Sequence, residues 1–233
     1  MVDWFDHWLE GADNSVMKKP GSVVSMSPTD HWWQSTWPAR GASPVALHPH
    51  EGGRTAGALR LARATSGRER VTDDASFSVE ELADKSRSAH RLLYRTPPLS
   101  QRLTLSGLAS VRLEVSFDAP ASNLSVALVD LGPKGGTTVL SEGWADPQNI
   151  DSLHEGTALE PRTRYAIEVD LDQVLQHRLP SGHRLALVVA ASDRSSPSAR
   201  RRGRTSGSPS PRRRSTSRCS EAPTPCATRC GHE

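Results

Sequence analysis

The chain has 233 residues and a net charge of +3. It contains no run of about 18 apolar residues, which excludes a transmembrane helix, and its first 193 residues hold no cysteine, which excludes a disulfide framework there. The positive charge comes from residues 194–233, where ten Arg stand against two Glu, while the remainder is mildly acidic, so charge alone makes no case for a nucleic-acid partner.

Residues 1–11, MVDWFDHWLEG, read as the closing turns of a helix. Trp4, Phe5, Trp8 and Leu9 fall on one face, and Gly11 is a natural stop just past the C-terminus. The acidic, aromatic start is unlike a signal peptide. Burying each large aromatic would contribute roughly 1.5–3 kcal/mol. So short a helix cannot supply the burying surface itself, so a partner surface is expected.

From Val23 the pattern becomes short strands and turns. Strands are predicted at Val23–Met26, Trp32–Ser35, Pro44–His48, Gly57–Leu61, Arg91–Tyr94 and Arg102–Leu105. A short helix is predicted at Val79–Lys85, with Ser78 and Glu81 forming a capping box. Further on, Val111, Leu113, Val115 and Phe117 alternate with polar residues. Leu124, Val126 and Leu128 do the same, as do Tyr165, Ile167, Val169 and Leu171. Leu185–Ala191 is apolar throughout, which predicts a strand buried on both faces. Gly and Pro turns separate these runs, among them Gly132-Pro133, Asp146-Pro147 and Pro180-Ser181-Gly182. The spacing predicts an all-β sandwich or jelly roll and excludes a helical bundle. After Val189 no Val, Ile, Leu, Met, Phe, Tyr or Trp occurs, and a disordered Arg/Ser/Pro-rich tail is expected over 194–233.

The ordered strings WFDHWLEGADNSVM, WWQSTWP, HRLLYRTPPL, NLSVALVD, GWADPQN and LPSGHRLALVVAASD carry a resemblance. Over roughly residues 1–194 the chain resembles the C-terminal part of the Xaa-Pro dipeptidyl-peptidases and their CocE/NonD relatives. The resemblance implies a C-terminal jelly roll of the galactose-binding-like type beside an α/β-hydrolase domain with a Ser-Asp-His triad and a helical cap. Residues 1–20 would then be the last hydrolase helix and its linker, 21–193 the jelly roll, and 194–233 the tail. The implied partner is the α/β-hydrolase domain, packing on Trp4, Phe5 and Trp8. A peptide would be the substrate only in the intact enzyme, and a homo-oligomer is compatible with the sequence. Neither a membrane nor nucleic acid is expected as a partner.

The implied serine nucleophile would sit in a G-x-S-x-G elbow. None occurs: Gly41-Ala42-Ser43 is followed by Pro44-Val45, and Ser141-Glu142-Gly143 follows Val139-Leu140. The family's triad lies upstream of the WFDHWL helix, so no catalytic position carries over. No catalytic, metal or cofactor-binding residue is expected, and no cofactor. Within the family a CocE-like ester or acyl hydrolase is the competing parent. A stand-alone carbohydrate-binding module is the competing class, with Trp32, Trp33 and Trp37 as a stacking platform, although core aromatics are the more ordinary reading. His48-Pro49-His50 lacks further ligands and reads as a turn. Trp144, Asp146 and Asn149 of GWADPQN read as structural, with Asp146-Pro147 setting a turn and Asn149 bonding the loop backbone. The acidic pairs Asp73/Asp74 and Asp170/Asp172 lack EF-hand spacing.

In the tail, Cys219, Cys226, Cys230 and His232 fit no common zinc spacing. Arg200–Arg202 and Arg212–Arg214 with Ser-Pro repeats resemble a basic nucleic-acid-binding tail. A frameshift accounts for the composition better. The family continues after the ASD string with a sequence resembling Glu-Phe-Thr-Leu-Arg-Pro-Pro-Pro-Gly-Thr. Permitted codons for Arg194 to Arg204, read one nucleotide back, spell that continuation. A frameshift near Arg194 and marginal stability from missing strands are therefore expected, and the genomic codons decide the first.

Overall fold

The computed structural model describes residues 2–18, 22–25, 31–34, 36–64, 67–152, 154–194, 216–220 and 226–231. Its helices are α1 (Val2–Glu10) and α2 (Val79–Asp84), with 3₁₀ turns at Ser15–Lys18 and Pro147–Asn149. The rest of the regular structure is β. The strands are β1 (Ser22–Ser25), β2 (His31–Gln34), β3 (Ser43–His50), β4 (Gly57–Arg60), β5 (Arg68–Thr72), β6 (Leu92–Arg95), β7 (Leu103–Phe117), β8 (Leu124–Leu131), β9 (Thr137–Ala145), β10 (Arg164–Asp170), β11 (Leu175–Leu179), β12 (Arg184–Ala190), β13 (Thr216–Ser220) and β14 (Cys226–Gly231).

The long strand β7 organises one half of the fold. The two runs predicted around Arg102 and Val111 are one strand of 15 residues. Along one edge β7 pairs antiparallel with β11 over Leu103–Gly107 and with β10 over Ser110–Ser116. β3 turns the corner into the other half: Ser43–Leu47 pair with β14, and His48–His50 pair with β4. The order then runs β4-β6-β12-β8-β9. β9 packs back against β10 and β11, so the sheet curls over on itself.

Alternation along the strands fills the space inside the curl. Val111, Val115 and Phe117 of β7 meet Ile167 and Val169 of β10, and Leu124, Val126 and Leu128 of β8 meet Leu185, Leu187 and Val189 of β12. The opposite face of β12 presents Ala186 and Val188, which join Ala127, Val129 and Leu93 beneath Val79, Leu82 and Ala83 of α2. The expectation that Leu185–Ala191 is buried on both faces therefore holds, with the curl on one side and a helix on the other.

α2 begins with the predicted capping box. The Glu81 amide donates to Ser78 Oγ at 3.2 Å, and the Ser78 amide donates to Glu81 Oε2 at 2.8 Å. Its far end is capped by Arg91, which is fully buried. Arg91 Nε donates to the Leu82 carbonyl at 3.0 Å, Nη2 to the Lys85 carbonyl at 2.6 Å, and Nη1 to the Gly53 carbonyl. Carbonyls at a helix C-terminus lack intrahelical partners and carry partial negative charge, which a guanidinium complements.

Before residue 194, three strands escape the sequence pattern. β5 is RERVT, too charged to read as a strand. β9 carries Ser141, Glu142 and Gly143 in its middle, and β11 is the short LQHRL. In the tail, two short segments are described as strands. Disorder was expected throughout 194–233, but β13 pairs with both β5 and β7, and β14 pairs with both β7 and β3. The edges of β3, β5 and β7 present rows of backbone donors and acceptors. A proline-free segment satisfies them through its main chain alone, whatever its side chains, so the absence of apolar residues does not forbid a strand. The unpaired edge expected from missing strands is filled at these positions.

Candidate functional site

The helix α1 is the most unusual surface. Gly11 leaves the helix at φ +71°, the left-handed stop that its position predicted. Asn14 folds back so that its Nδ2 donates to the Asp3 carbonyl at 2.7 Å, and His7 Nδ1 lies 3.0 Å from the Ala12 carbonyl. Among the described residues, the ring contacts of the aromatic face stay within α1, where His7 meets Trp8 edge-on at 5.2 Å. Trp4 and Trp8 touch at 5.9 Å between ring centroids. Trp4, Phe5 and Trp8 stay 50%, 51% and 57% exposed, and no α1 residue is buried. Three large aromatics gathered on one exposed helix face are uncommon on a protein surface.

Of the serines near the two G/S strings, Ser43 is exposed on β3 and Ser141 lies on β9. Ser141 is fully buried, and its Oγ is 3.0 Å from both the amide and the carbonyl of Gln173. One acid–base cluster was not predicted. Buried Asp130 at the end of β8 accepts from His177 Nε2 at 3.2 Å and from His183 Nδ1 at 2.8 Å. One carboxylate thereby sets the tautomer of two imidazoles. Their spacing in HRLPSGH is a weak signal, because Asp130 lies far away in sequence and strand pairing brings it close. Among the described residues no hydroxyl or thiol is shown hydrogen-bonded to either ring.

The GWADPQN segment is knitted into a turn. Asp146 Oδ1 accepts from the Gln148 amide at 3.2 Å and from Gln148 Nε2 at 2.6 Å, and Asn149 Nδ2 donates to the Ser152 carbonyl at 2.9 Å. Trp144 Nε1 donates to Asp193 Oδ2 at 3.2 Å, with Asp193 buried. These contacts are structural. Nearby Glu142 is pushed up to about 7, first by burial and then by the charges of Asp193, Glu80 and Asp172. Its proton is therefore held more tightly in the folded chain than in the unfolded one, so the stability it contributes at acid pH is lost as pH rises from 4.5 to about 7. Glu142→Gln is expected to flatten this loss and to stabilise the chain by about 1 kcal/mol at mildly alkaline pH, allowing for partial solvent screening. Urea titrations across that range check it, and parallel profiles for parent and variant would count against it.

The other predicted positions do not converge. His48 is buried on β3, its pKa lowered by burial, by Arg63 and by His50, while His50 Nε2 contacts the Ala62 carbonyl at 2.9 Å. Trp37 is half-buried, and the side chains of Trp32 and Trp33 lie outside the described residues. Asp74 Oδ1 accepts from the amide and hydroxyl of Ser76 at 3.0 and 2.7 Å. Asp170 and Asp172 are exposed. The cysteine side chains and His232 lie outside the described residues. Among the described residues no three His, Cys, Asp or Glu are grouped to hold a metal.

Comparison with known proteins places this arrangement. Residues 14–213 match the family described as the X-Pro dipeptidyl-peptidase C-terminal non-catalytic domain. A putative Xaa-Pro dipeptidyl-peptidase of Rhodopirellula baltica is 37% identical over 83% of this chain and 32% of its own length. One from Streptomyces avermitilis is 35% identical over 82% and 34%. The chain thus spans about a third of the length of these relatives. Among solved structures, an aminopeptidase from a marine sediment Thaumarchaeota archaeon shares the fold at TM-score 0.71 and 18% identity, over 97% of this chain and 42% of its own. An α-amino acid ester hydrolase does so at 0.70 and 18%, over 97% and 42%. The chain belongs to the X-Pro dipeptidyl-peptidase C-terminal non-catalytic domain family.

Proposed function

We propose that this domain, a jelly roll of the galactose-binding-like type, serves a serine hydrolase that removes Xaa-Pro dipeptides and whose α/β-hydrolase domain packs on Trp4, Phe5 and Trp8. The exposed aromatic face of α1 carries this reading. Its helix precedes residue 14, where the match to the C-terminal domain family begins, so it stands apart from the β-domain in sequence as well as in packing. The names of the relatives favour peptide over ester chemistry. The nucleophile, base and oxyanion hole belong to the hydrolase domain, and this chain contributes scaffold. The domain division is 1–20, 21–193 and 194–233. The relatives cover 82–83% of the chain, and the family match runs from residue 14 to 213.

Two measurements on the purified chain test this together. No hydrolysis of Gly-Pro-naphthylamide above the buffer blank is expected, and turnover would overturn the assignment of the chemistry to another domain. The triple substitution Trp4→Ser, Phe5→Ser, Trp8→Ser is expected to raise solubility and monodispersity while changing stability by no more than about 0.5 kcal/mol, as for surface positions. A large drop in melting temperature would show that α1 packs on its own β-domain and would sink the docking surface.

A further inference from the structure

The outer face of the curled sheet is only partly covered by α2. Beside the helix lies an open cleft of about 310 Å³, lined by Ala56, Gly57 and Ala58, the Pro97-Pro98 step, and Arg60, Arg95 and Arg184. The register explains why the three arginines meet. Ala58 of β4 lies beside Arg95 of β6, and Arg95 lies beside Ala186 of β12. Side chains two apart on a strand share a face, so Arg60 joins Ala58 and Arg184 joins Ala186. Intervening Leu59, Tyr94 and Leu185 point into the core, which fixes the arginines on the outside. Three adjacent strands thus each place one arginine on the same outer face, with Arg60 and Arg184 on either side of Pro97 and Arg95 two residues along from them.

Among the described residues no carboxylate forms an ion pair with them. Other arginines among the described residues do pair, Arg70 with Asp118, Arg112 with Glu168, Arg164 with Glu114 and Arg194 with Glu81. The lining contains no carboxylate. Arg184 is held in place, with its Nη1 donating to the Thr96 carbonyl at 2.8 Å. Thr96 is itself locked to Leu185 through its amide at 2.9 Å and its hydroxyl at 3.1 Å. Arg60 and Arg95 stand exposed at the rim. Small residues leave room between them, and Pro97 and Pro98 supply no amide that would compete as a donor. Like charges lining one cleft repel, and a bound anion relieves that repulsion while accepting several charge-assisted hydrogen bonds.

We propose that this cleft binds a compact oxyanion, a phosphate or a carboxylate, between Arg60, Arg95 and Arg184. The site is independent of the α1 face and of the chemistry of any hydrolase domain.

The test titrates the purified chain at low ionic strength with inorganic phosphate and, separately, with succinate, against chloride as the reference salt. Saturable heat in calorimetry and a rise in melting temperature that follows the binding isotherm are expected. Arg95→Gln is expected to weaken binding about tenfold, Arg60→Gln by a smaller factor, and the pair to abolish it. Both positions are exposed, so neither substitution threatens the fold. Arg112→Gln, on the other half of the sheet and paired with Glu168 at 2.8 Å, should leave binding unchanged. Saturation with phosphate alone assigns a phosphoryl group, and saturation with both anions assigns oxyanions in general. Heats indistinguishable from chloride, an Arg95→Gln chain that binds like the parent, or equal losses in Arg112→Gln would overturn the proposal.

Discussion

Arg91→Met is expected to lower the melting temperature of this domain by on the order of 10 °C. Methionine fills much of the arginine volume without its donors, so the change isolates the hydrogen bonds from the packing. Arg91 is 0% exposed and satisfies the carbonyls of Leu82, Lys85 and Gly53. Each buried acceptor left without a donor costs about 1–3 kcal/mol. Three such losses, partly relieved by water reaching the Lys85 end, amount to roughly 3–5 kcal/mol. The effect spreads because Arg91 ties three segments together: the end of α2, the turn at Gly53 and the start of β6. Arg91→Lys is expected to recover less than half of the loss, since one ammonium cannot reproduce a planar fork aimed at three carbonyls. Arg112→Met is the control. Its partner Glu168 sits directly across the β7–β10 ladder, but both side chains are nearly half exposed, so the loss should stay within about 0.5 kcal/mol. Thermal melts followed by circular dichroism decide the point; an Arg91→Met chain that melts with the parent would sink it.

The residues that were legible in the sequence and those that were not differ in one respect, namely whether the determining contact is local. The alternation of Val111 to Phe117 and of Tyr165 to Leu171 reports burial directly, because period-2 patterning is a property of one strand. Ser78 and Glu81 are three residues apart, so the capping box could be read without knowing the fold. The orphan face of Trp4, Phe5 and Trp8 was legible for the same reason, since it needs only helical spacing. Arg91 was not. It looked like the polar start of a strand, and its three carbonyl partners come from elements that the sequence separates by up to 38 residues. Asp130 with His177 and His183 was hidden in the same way, across separations of 47 and 53 residues. The arginine cleft depends on the registers of β4, β6 and β12, and a one-residue slip in any of them would turn that arginine into the core. β13 and β14 were missed for a different reason. Their pairing runs through backbone groups that every residue carries, and no side-chain pattern announces it.

Gly143→Ala is expected to destabilise the domain by about 3 kcal/mol, the upper part of the range for overpacking, although it adds a single methyl group. Gly143 lies on β9, inside the GWADPQN string, where the strand crosses over β10 to close the curl. A Cβ built there would stand 2.5 Å from the Asp170 carbonyl oxygen and 2.9 Å from Val169 Cγ1. The valine can rotate away. The carbonyl cannot, because Asp170 ends the strand that is paired to β7 through Ser110, and the next residues hold β9 in turn. The Asp172 amide donates to the Glu142 carbonyl at 2.7 Å, and the Gln173 amide donates to Ser141 Oγ at 3.0 Å. Relief therefore requires β9 to lift off β10, which would break those two bonds and loosen Leu140 in the core. Gly156→Ala is the matched control, since a Cβ there would approach nothing closer than 3.6 Å. It should shift stability by no more than about 0.5 kcal/mol. Hydrogen exchange separates this account from general weakening. The amides of Asp172 and Gln173 are expected to lose protection in Gly143→Ala before those of β12, whereas uniform loss across the sheet would mean that the close approach of β9 to β10 is not what demands glycine at this position.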